Sequence, residues 1–318
     1  MYYIGIDLGG TYIKAGLVDD YGKIVLKNSI PTGKERPYQE IVKDMAMLVK
    51  NVIKDAQIDE KDVKSIGIGS PGTPNDKEGI LVYANNLTNF VNVPLRAEIQ
   101  KYIDLPVILD NDANCAALAE SISGAAKDAK NSVTITLGTG VGSGVVIDGK
   151  LYSGFNYSAP EMGHMVIRID GEQCTCGRKG CWEAYASATA LIEQTKRAAM
   201  ENKDSLINSL VDGDLSKIDA KTAFDAAKQG DETGRKVVEQ YIKYLAEGLT
   251  NVINIFAPEV VAIGGGVSKE GEYLLKPLRE LVYRDVYFKG EPQTQIRVAQ
   301  LGNDAGIIGA AMLGKVNA

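Results

Sequence analysis

Three of the four cysteines in this 318-residue sequence, Cys174, Cys176 and Cys181, lie within eight residues of one another. The single histidine, His164, stands ten residues before the first of them. Such a local cluster argues against a disulfide framework and for a metal site. Three thiolates and one imidazole suit tetrahedral Zn²⁺, so we predict one zinc ion bound by these four side chains. Because the four ligands leave no position for water, the ion is predicted to be structural.

Two glutamates, Glu161 and Glu183, flank these metal ligands in the sequence. A bound ion would hold both carboxylates in fixed positions, which is what the recognition of several hydroxyl groups requires. Glutamates are commonly solvated surface side chains, and spacing alone leaves that alternative open. The pair is therefore a candidate binding site beside the predicted zinc ion.

A run of polar residues from Asp110 to Asn114 follows a short apolar strand and enters an alanine-rich helix. Asn and Asp are ordinary helix caps at such a position, but a cap needs only one of them. Several polar groups at one strand end indicate a site that hydrogen-bonds several hydroxyls. A carboxylate there can accept the proton of an attacking alcohol. Asp112 is our candidate general base, and Asp110 is the next carboxylate to test.

Three glycine-rich turns follow predicted strands. Backbone N–H groups and a hydroxyl at such a turn can bind phosphate, and a nearby carboxylate can hold hydrated Mg²⁺. Each turn alone is also compatible with a hairpin that uses glycine for its backbone freedom. The three turns together predict nucleotide binding. The residues concerned are Asp7, Gly9, Gly10 and Thr11, then Gly138, Thr139 and Gly140, and finally Gly264, Gly265 and Gly266.

The elements that must position these residues alternate between strands and helices. Strands are predicted at 2–7, 15–19, 23–26, 65–69, 106–109, 133–136, 144–147, 259–263 and 295–299. Helical spacing of apolar residues predicts helices at 41–53 and 237–253, and a helix of small residues at 304–313. The strand, glycine turn and hairpin near the start recur from residue 132, so the chain is predicted to be internally duplicated.

Charge and hydropathy exclude several classes of protein. Thirty-five Lys and Arg against forty-one Asp and Glu give a net charge of −6, which opposes binding to nucleic acid or anionic lipid. No run of eighteen apolar residues and no signal segment is found, so a cytoplasmic protein without a membrane partner is predicted.

The fourth cysteine, Cys115, lies in an alanine-rich segment and is predicted to be a small buried apolar residue.

These motifs resemble the ROK family (repressors, open reading frames and sugar kinases), and within it the bacterial ATP-dependent glucokinases. The resemblance covers nearly the whole chain. It implies an α/β protein with the two-domain actin-like ATPase (ribonuclease H-like) fold and a cleft between the domains. A smaller domain would comprise residues 1–113 and about 303–318, and a larger one, with the zinc motif and a helical part, residues 114–302. The segments that carry the resemblance are 7–11, 67–72, 111–114, 137–142, 161–164, 174–183, 264–266 and 304–306.

The activity implied by this resemblance is ATP-dependent phosphorylation of a hexose at its 6-hydroxyl, with glucose as the preferred hexose. ATP and Mg²⁺ would join the structural Zn²⁺, Asp112 would be the catalytic base, and Asp7 would lie near the magnesium. A homodimer or homotetramer is also implied. The implied sugar-binding residues are Asn86, Asn111, Asp112, Glu161, His164 and Glu183.

Three alternatives stay open. The first is a kinase of the same family that acts on fructose, N-acetylmannosamine or N-acetylglucosamine. The second is a sugar-responsive transcriptional regulator, which in this family carries an additional N-terminal helix-turn-helix domain. The first predicted strand begins at residue 2 and the charge is acidic, so this alternative is disfavoured. The third is an ATPase that acts without a sugar, and the glutamates beside the cysteine cluster argue against it.

Overall fold

Thirteen strands and ten α-helices form in the part of the chain that the computed structural model describes, residues 1–84 and 87–316. No helix in that part is long and apolar enough to cross a membrane. The strands are β1 Tyr2–Leu8, β2 Tyr12–Asp19, β3 Ile24–Pro31, β4 Val63–Ser70, β5 Thr73–Asn75, β6 Ile80–Tyr83, β7 Val91–Val93, β8 Val107–Asn111, β9 Ser132–Leu137, β10 Val141–Ile147, β11 Lys150–Tyr152, β12 Val260–Gly265 and β13 Gln295–Val298. The helices are α1 Tyr38–Asp55, α2 Leu95–Gln100, α3 Asp112–Ser123, α4 Glu183–Ala186, α5 Ala188–Glu201, α6 Leu206–Leu210, α7 Thr222–Lys228, α8 Glu232–Phe256, α9 Glu272–Asp285 and α10 Ala305–Val316.

Two five-stranded sheets share one strand order. The first is ordered β3-β2-β1-β4-β8 and the second β11-β10-β9-β12-β13. In each sheet the first strand of the repeat is central, with its hairpin partners on one side and two later strands on the other. This common order agrees with the internal duplication predicted from the glycine turns.

The observed strands extend most of the predicted ones by one to three residues. Strand β2 begins at Tyr12, so the first glycine turn is reduced to residues 9–11. Gly264 and Gly265, which were predicted as part of a turn, instead complete strand β12. The residues between the predicted strands 65–69 and 106–109, for which no element is predicted, hold a three-stranded sheet, β5-β6-β7, and helix α2. These strands have only three or four residues, too few for an alternating pattern to identify them.

Strand β1 is covered on both faces because its side chains join two different apolar clusters. Ile4 and Ile6 are fully buried with residues of α1, whereas Tyr3 is buried with residues of α10. Helix α10 packs directly on the backbone of the sheet, since a Cβ added to Gly5 would lie 1.9 Å from the carbonyl oxygen of Ile307. This close packing places the start of α10 beside the carboxyl end of β1.

The end of α3 is tied to the segment that leads into α10. The Glu120 carboxylate is 1% exposed and accepts hydrogen bonds from the backbone N–H groups of Ala125, Gln300 and Leu301. A buried charge needs such donors to offset its desolvation. Cys115, one turn and a residue earlier on the same helix, is fully buried, which confirms the prediction that it is a small apolar residue of the core.

The chain divides into two compact units. The first contains residues 1–134, 144–160 and 300–318, and the second contains residues 135–143 and 161–299. The first unit extends beyond the predicted smaller domain. One reason is that α3 packs against α10 and against the first sheet. The return of the chain to the first unit lies at Gln300, close to the predicted position near 303.

In the second unit, the segment after the cysteine cluster is anchored to α8. Trp182 is fully buried, and its indole N–H donates to the carbonyl oxygen of Tyr244 at 2.9 Å. A Cβ added to Gly248 would lie 2.1 Å from the indole ring, so the ring rests directly on the helix backbone. This contact fixes the position of the neighbouring Cys181 and Glu183.

Candidate functional site

The predicted metal ligands come together in the second unit. One ligand atom from each of His164, Cys174, Cys176 and Cys181 lies within 4.8 Å of the others. The Cys176 and Cys181 sulfurs are 3.7 Å apart, and the Cys174 sulfur is 3.6 Å from Nδ1 of His164. A zinc tetrahedron with Zn–S bonds of about 2.3 Å and Zn–N bonds of about 2.0 Å has edges of about 3.8 and 3.5 Å. The donor set therefore fits one zinc ion.

The surroundings of the thiols also suit a cation. The backbone N–H of Arg178 lowers the pKa of Cys176, whereas burial raises the pKa of Cys181 to about 12. A buried thiol binds metal as the thiolate, and the charge of the metal ion offsets the burial. A Cβ on Gly180 would lie 1.7 Å from the carbonyl oxygen of Arg168, so the loop can close this tightly only with glycine.

His164 presents its two ring nitrogens to different partners. Nδ1 faces the Cys174 sulfur, and Nε2 lies 4.0 Å from a carboxylate oxygen of Glu161. If Nδ1 binds a metal ion, the ring proton is on Nε2 and can be donated to an acceptor on the Glu161 side. Partial desolvation raises the pKa of Glu161, His164 opposes this shift, and the charge of Glu183 adds to it.

Glu183 connects the cysteine loop to the second glycine turn. Its Oε2 accepts a hydrogen bond from the backbone N–H of Val141 at 3.0 Å, and its Oε1 accepts one from the Thr175 hydroxyl at 3.3 Å. A Cβ on Gly140 would lie 2.2 Å from Oε2, so any larger residue there would displace this carboxylate. Glu183 is therefore a positioned group and not a solvated surface side chain, which was the alternative at the level of sequence.

In the first unit, the predicted base lies at the junction of β8 and α3. Asn111 caps the helix, because its Oδ1 accepts from the backbone N–H groups of Ala113 and Asn114. Its Nδ2 donates to the carbonyl oxygen of Gly72 at 3.0 Å. Asp112 is the first residue of the helix and is exposed, with Oδ1 accepting from the N–H of Ala113 at 2.9 Å. Capping thus accounts for Asn111 but not for the exposed carboxylate beside it.

Asp110 has a different environment. Its side chain is 9% exposed, and both carboxylate oxygens accept hydrogen bonds from neighbouring groups. Burial raises its pKa, and the hydrogen bonds from Asn114, Asn111 and Ser153 partly oppose that shift. A base must reach its substrate's proton. Of the two carboxylates, the exposed Asp112 meets this requirement better.

The first glycine turn closes tightly beside Asp7. The N–H of Gly9 donates to the carbonyl oxygen of Tyr12, and the Thr32 hydroxyl donates to the carbonyl oxygen of Gly9. Gly9 and Gly10 do not have positive φ angles, so backbone freedom does not explain them. Thr11 is exposed at the tip of this turn.

Lys14 is a residue of this site that the sequence analysis missed. Its Nζ lies 2.8 Å from Oδ2 of Asp7. The antiparallel register of β1 and β2 places the two residues opposite each other. The seven-residue spacing across a predicted hairpin was the available signal, since cross-strand neighbours of opposite charge commonly pair.

The second and third glycine turns both lie in the second unit. The second turn adjoins the start of α5: the N–H of Ala188 donates to the carbonyl oxygen of Gly138, and the Thr189 hydroxyl donates to that of Thr139. Thr139 also lines a cavity of about 1110 Å³ along α5 and α8. Among the described residues, apart from the chain neighbours of each glycine, no heavy atom lies within 4 Å of a Cβ placed on Gly138 or Gly266, and neither glycine has a positive φ angle.

The remaining third-turn residues are explained by the fold. Gly265 has φ of +86°, and a Cβ there would lie 2.2 Å from the carbonyl oxygen of Leu137. Gly264 lies within β12 and faces Ala299. Asn86, a predicted sugar ligand, is outside the described residues.

The two sheets of common order belong to the two-domain actin-like ATPase fold. The model of the ROK family matches residues 3–316. This chain belongs to the ROK family.

Two of the proteins similar to this chain are glucokinases. The glucokinase of Thermotoga maritima is 38% identical over 310 residues, which are 98% of this chain and 96% of the relative. The crystal structure of a ROK family glucokinase from Streptomyces griseus, in complex with glucose and AMPPNP, superposes with a TM-score of 0.82 at 35% identity. That similarity covers 99% of this chain and 100% of the other.

A third relative is a regulator. The xylose repressor of Caldicellulosiruptor bescii is 32% identical over 308 residues, which are 96% of this chain but 76% of the repressor. The proteins similar to this chain therefore include both enzymes and a repressor.

Proposed function

We propose that this protein is an ATP-dependent sugar kinase that phosphorylates glucose at its 6-hydroxyl. The observation that carries the proposal is the arrangement of Glu161, His164 and Glu183 against the cluster of three thiols. Such a set supplies hydroxyl-binding groups that a metal ion holds rigid. Glucose as the sugar follows from the similarity to the glucose-bound Streptomyces griseus glucokinase over the full chain.

In the proposed reaction, Asp112 accepts the proton of the 6-hydroxyl as the hydroxyl oxygen attacks the γ-phosphorus of ATP. The bond from the γ-phosphorus to the β–γ bridging oxygen breaks, and ADP leaves with the electrons of that bond. Its exposed carboxylate, oriented by the N–H of Ala113, is suited to that transfer. Asn111, Glu161, His164 and Glu183 would bind the other sugar hydroxyls. Asn86 is a further proposed contact, from family resemblance alone.

The glycine turns are proposed to bind the nucleotide. Neither packing nor backbone conformation accounts for glycine at positions 138 and 266, and close approach of a ligand to the backbone would account for both. The cavity beside Thr139 leaves room for a nucleotide. Mg²⁺, when bound near Asp7, would neutralise charge on the phosphates. Lys14 beside Asp7 orients that carboxylate.

Zinc is proposed to be the structural metal. His164, Cys174, Cys176 and Cys181 would hold it, and the ion would fix the ring of His164 with Nε2–H directed away from the thiols. In the cell, the enzyme is proposed to act in the cytoplasm as a homodimer or homotetramer.

The test is a coupled assay with ATP and a panel of glucose, mannose, fructose, N-acetylglucosamine, N-acetylmannosamine and xylose. Glucose is expected to give the highest kcat/KM, at least about tenfold above every other sugar, which corresponds to about 1.4 kcal/mol in transition-state binding. A preference for fructose or an N-acetylhexosamine would instead identify a kinase of the same family with another substrate.

A second candidate function is that of a sugar-responsive regulator, which the similarity to the xylose repressor favours. Xylose distinguishes this function from that of a kinase. Xylose has no 6-hydroxyl, so it can be bound but cannot be phosphorylated at that position. Calorimetric binding of xylose together with no turnover of any sugar in the panel would contradict the kinase proposal and support the regulator.

A further inference from the structure

A buried carboxylate lies next to the proposed base but takes no part in the proposed reaction. The carboxylate of Asp110 accepts three hydrogen bonds. Its Oδ1 accepts from the backbone N–H of Asn111 at 2.7 Å and from Nδ2 of Asn114 at 2.8 Å. Its Oδ2 accepts from the hydroxyl of Ser153 at 2.9 Å. Burying a charged group is unfavourable unless hydrogen-bond partners offset its desolvation. These contacts supply such partners, and the role of the buried carboxylate needs an explanation.

The side chain of Asn114 connects the Asp110 carboxylate to a second part of the chain. It is 1% exposed, and its Nδ2 donates to the carbonyl oxygen of Ala159 at 3.2 Å as well as to Asp110. Its Oδ1 has no hydrogen-bond partner among residues 1–84 and 87–316. Turning the amide over would direct that oxygen at the carboxylate of Asp110. The acceptor oxygens of Asp110 and Ala159 therefore fix which way the amide points.

These two connections hold the two ends of one surface segment. Ser153 begins it and Ala159 ends it, and the N–H of Ala159 donates to the carbonyl oxygen of Ser153 at 3.2 Å. The residues between them are mostly exposed, and Phe155 is 98% exposed. The segment thus has few contacts of its own, and its ends are positioned by Asp110 and Asn114. Two residues after Ala159 the chain reaches Glu161, a proposed sugar ligand.

We propose that Asp110 is a positioning residue for sugar binding, which holds both ends of the 153–159 segment in register with Asn111. This inference rests on the proposed function. Asp110 positions two proposed sugar ligands. It accepts from the backbone N–H of Asn111, and it holds the segment that leads to Glu161. Loss of its acceptor oxygens releases Ser153 directly and Ala159 through the loosened amide of Asn114.

The geometry distinguishes this role from a role as a base. An asparagine at position 110 can keep all three contacts, because its Oδ1 accepts from Asn111 and Asn114 while its Nδ2 donates to the Ser153 hydroxyl. We therefore expect Asp110→Asn to keep kcat and the KM for glucose within about threefold of wild type. A base cannot be replaced in this way, and a hundredfold loss of kcat in Asp110→Asn would overturn the proposal.

Removal of the contacts should affect sugar binding selectively. Asp110→Ala is expected to raise the KM for glucose by about tenfold or more, with the KM for ATP changed less than twofold, since small misplacements of binding groups have effects of this size. Faster hydrogen exchange of the backbone amide of Ala159, which donates to the carbonyl oxygen of Ser153, should accompany it. An equal rise in both KM values, or unchanged exchange, would contradict the proposal.

Ser153→Ala covers the case in which Asp110→Ala does not fold. It removes the hydrogen bond to Asp110 and a longer contact of 3.5 Å from Nδ2 of Asn114. It should raise the KM for glucose about threefold, as expected for one modest hydrogen bond. The matched control is Ser158→Ala, because the hydroxyl of Ser158 donates within the segment, to Asn156. The KM of this variant for glucose should stay at the wild-type value. Equal effects of the two serine variants would overturn the proposal. Failure of the wild type to phosphorylate any sugar would reject the proposed function, while hydrogen exchange of the Ala159 amide in the Asp110 and Ser153 variants would still test the connection.

Discussion

Replacing Asp112 with asparagine is expected to lower kcat for glucose phosphorylation by roughly 10²–10⁴-fold, the usual effect of removing a general base. The substitution is nearly isosteric and keeps an oxygen that can accept from the N–H of Ala113. It removes only the carboxylate that takes up the proton. Steady-state kinetics should therefore show a fall in kcat larger than any rise in the KM for glucose, with ATP binding and thermal stability close to wild type.

The control for this experiment is the same substitution two residues away. Asp110→Asn changes an equal charge at the same end of β8, yet it is expected to retain most of kcat because Asp110 is buried and hydrogen-bonded. Asn111 needs a substitution that keeps its helix cap, since alanine there would destabilise α3 by about 1 kcal/mol. Asn111→Ser keeps an oxygen acceptor for the cap and should weaken sugar binding more than turnover. More than about a tenth of wild-type kcat in Asp112→Asn at saturating glucose would show that Asp112 is not the base.

Loss of the metal ion should have the second large effect. The purified protein is expected to contain about one zinc ion per chain, and Cys176→Ala should contain almost none, because three ligands bind far more weakly than four. Without the ion, no common bonding partner holds the three sulfurs together, and the ring of His164 loses its fixed orientation. Elemental analysis, thermal unfolding and glucose kinetics should report loss of zinc, a lower Tm and a strongly raised KM for glucose together.

Cys115→Ala is the matched control for the metal site. This cysteine is fully buried against the core of the first unit and lies outside the cluster. Its replacement should keep the full zinc content and affect stability alone, by the modest amount expected for a small core truncation. Freshly purified wild-type protein that is active and free of zinc would contradict the proposed structural metal.

The cluster of three cysteines and one histidine and the glycine turns could be predicted from the sequence because their chemistry is local. Cys174, Cys176 and Cys181 are so close along the chain that few folds could keep them apart, and their type restricts the ion. The common strand order of the two sheets likewise follows from a repeated strand, turn and hairpin. The longer strands and helices were predicted because their apolar periodicity extends over enough residues to be read.

What only the tertiary structure decided concerns residues of the same type in different environments. Asp110 and Asp112 are two carboxylates in one short run, and no property of the sequence says that one is buried among three donors while the other is exposed. The partners of Asp110 include Ser153, forty-three residues away, so its role depends on long-range packing. In the same way, glycine at 140 makes room for the Glu183 carboxylate, and glycine at 265 adopts a positive φ angle. At position 138, no described residue other than the chain neighbours comes within 4 Å of an added Cβ. A residue's type limits the chemistry available to it, whereas its burial and hydrogen-bond partners, which the fold determines, select the role it performs.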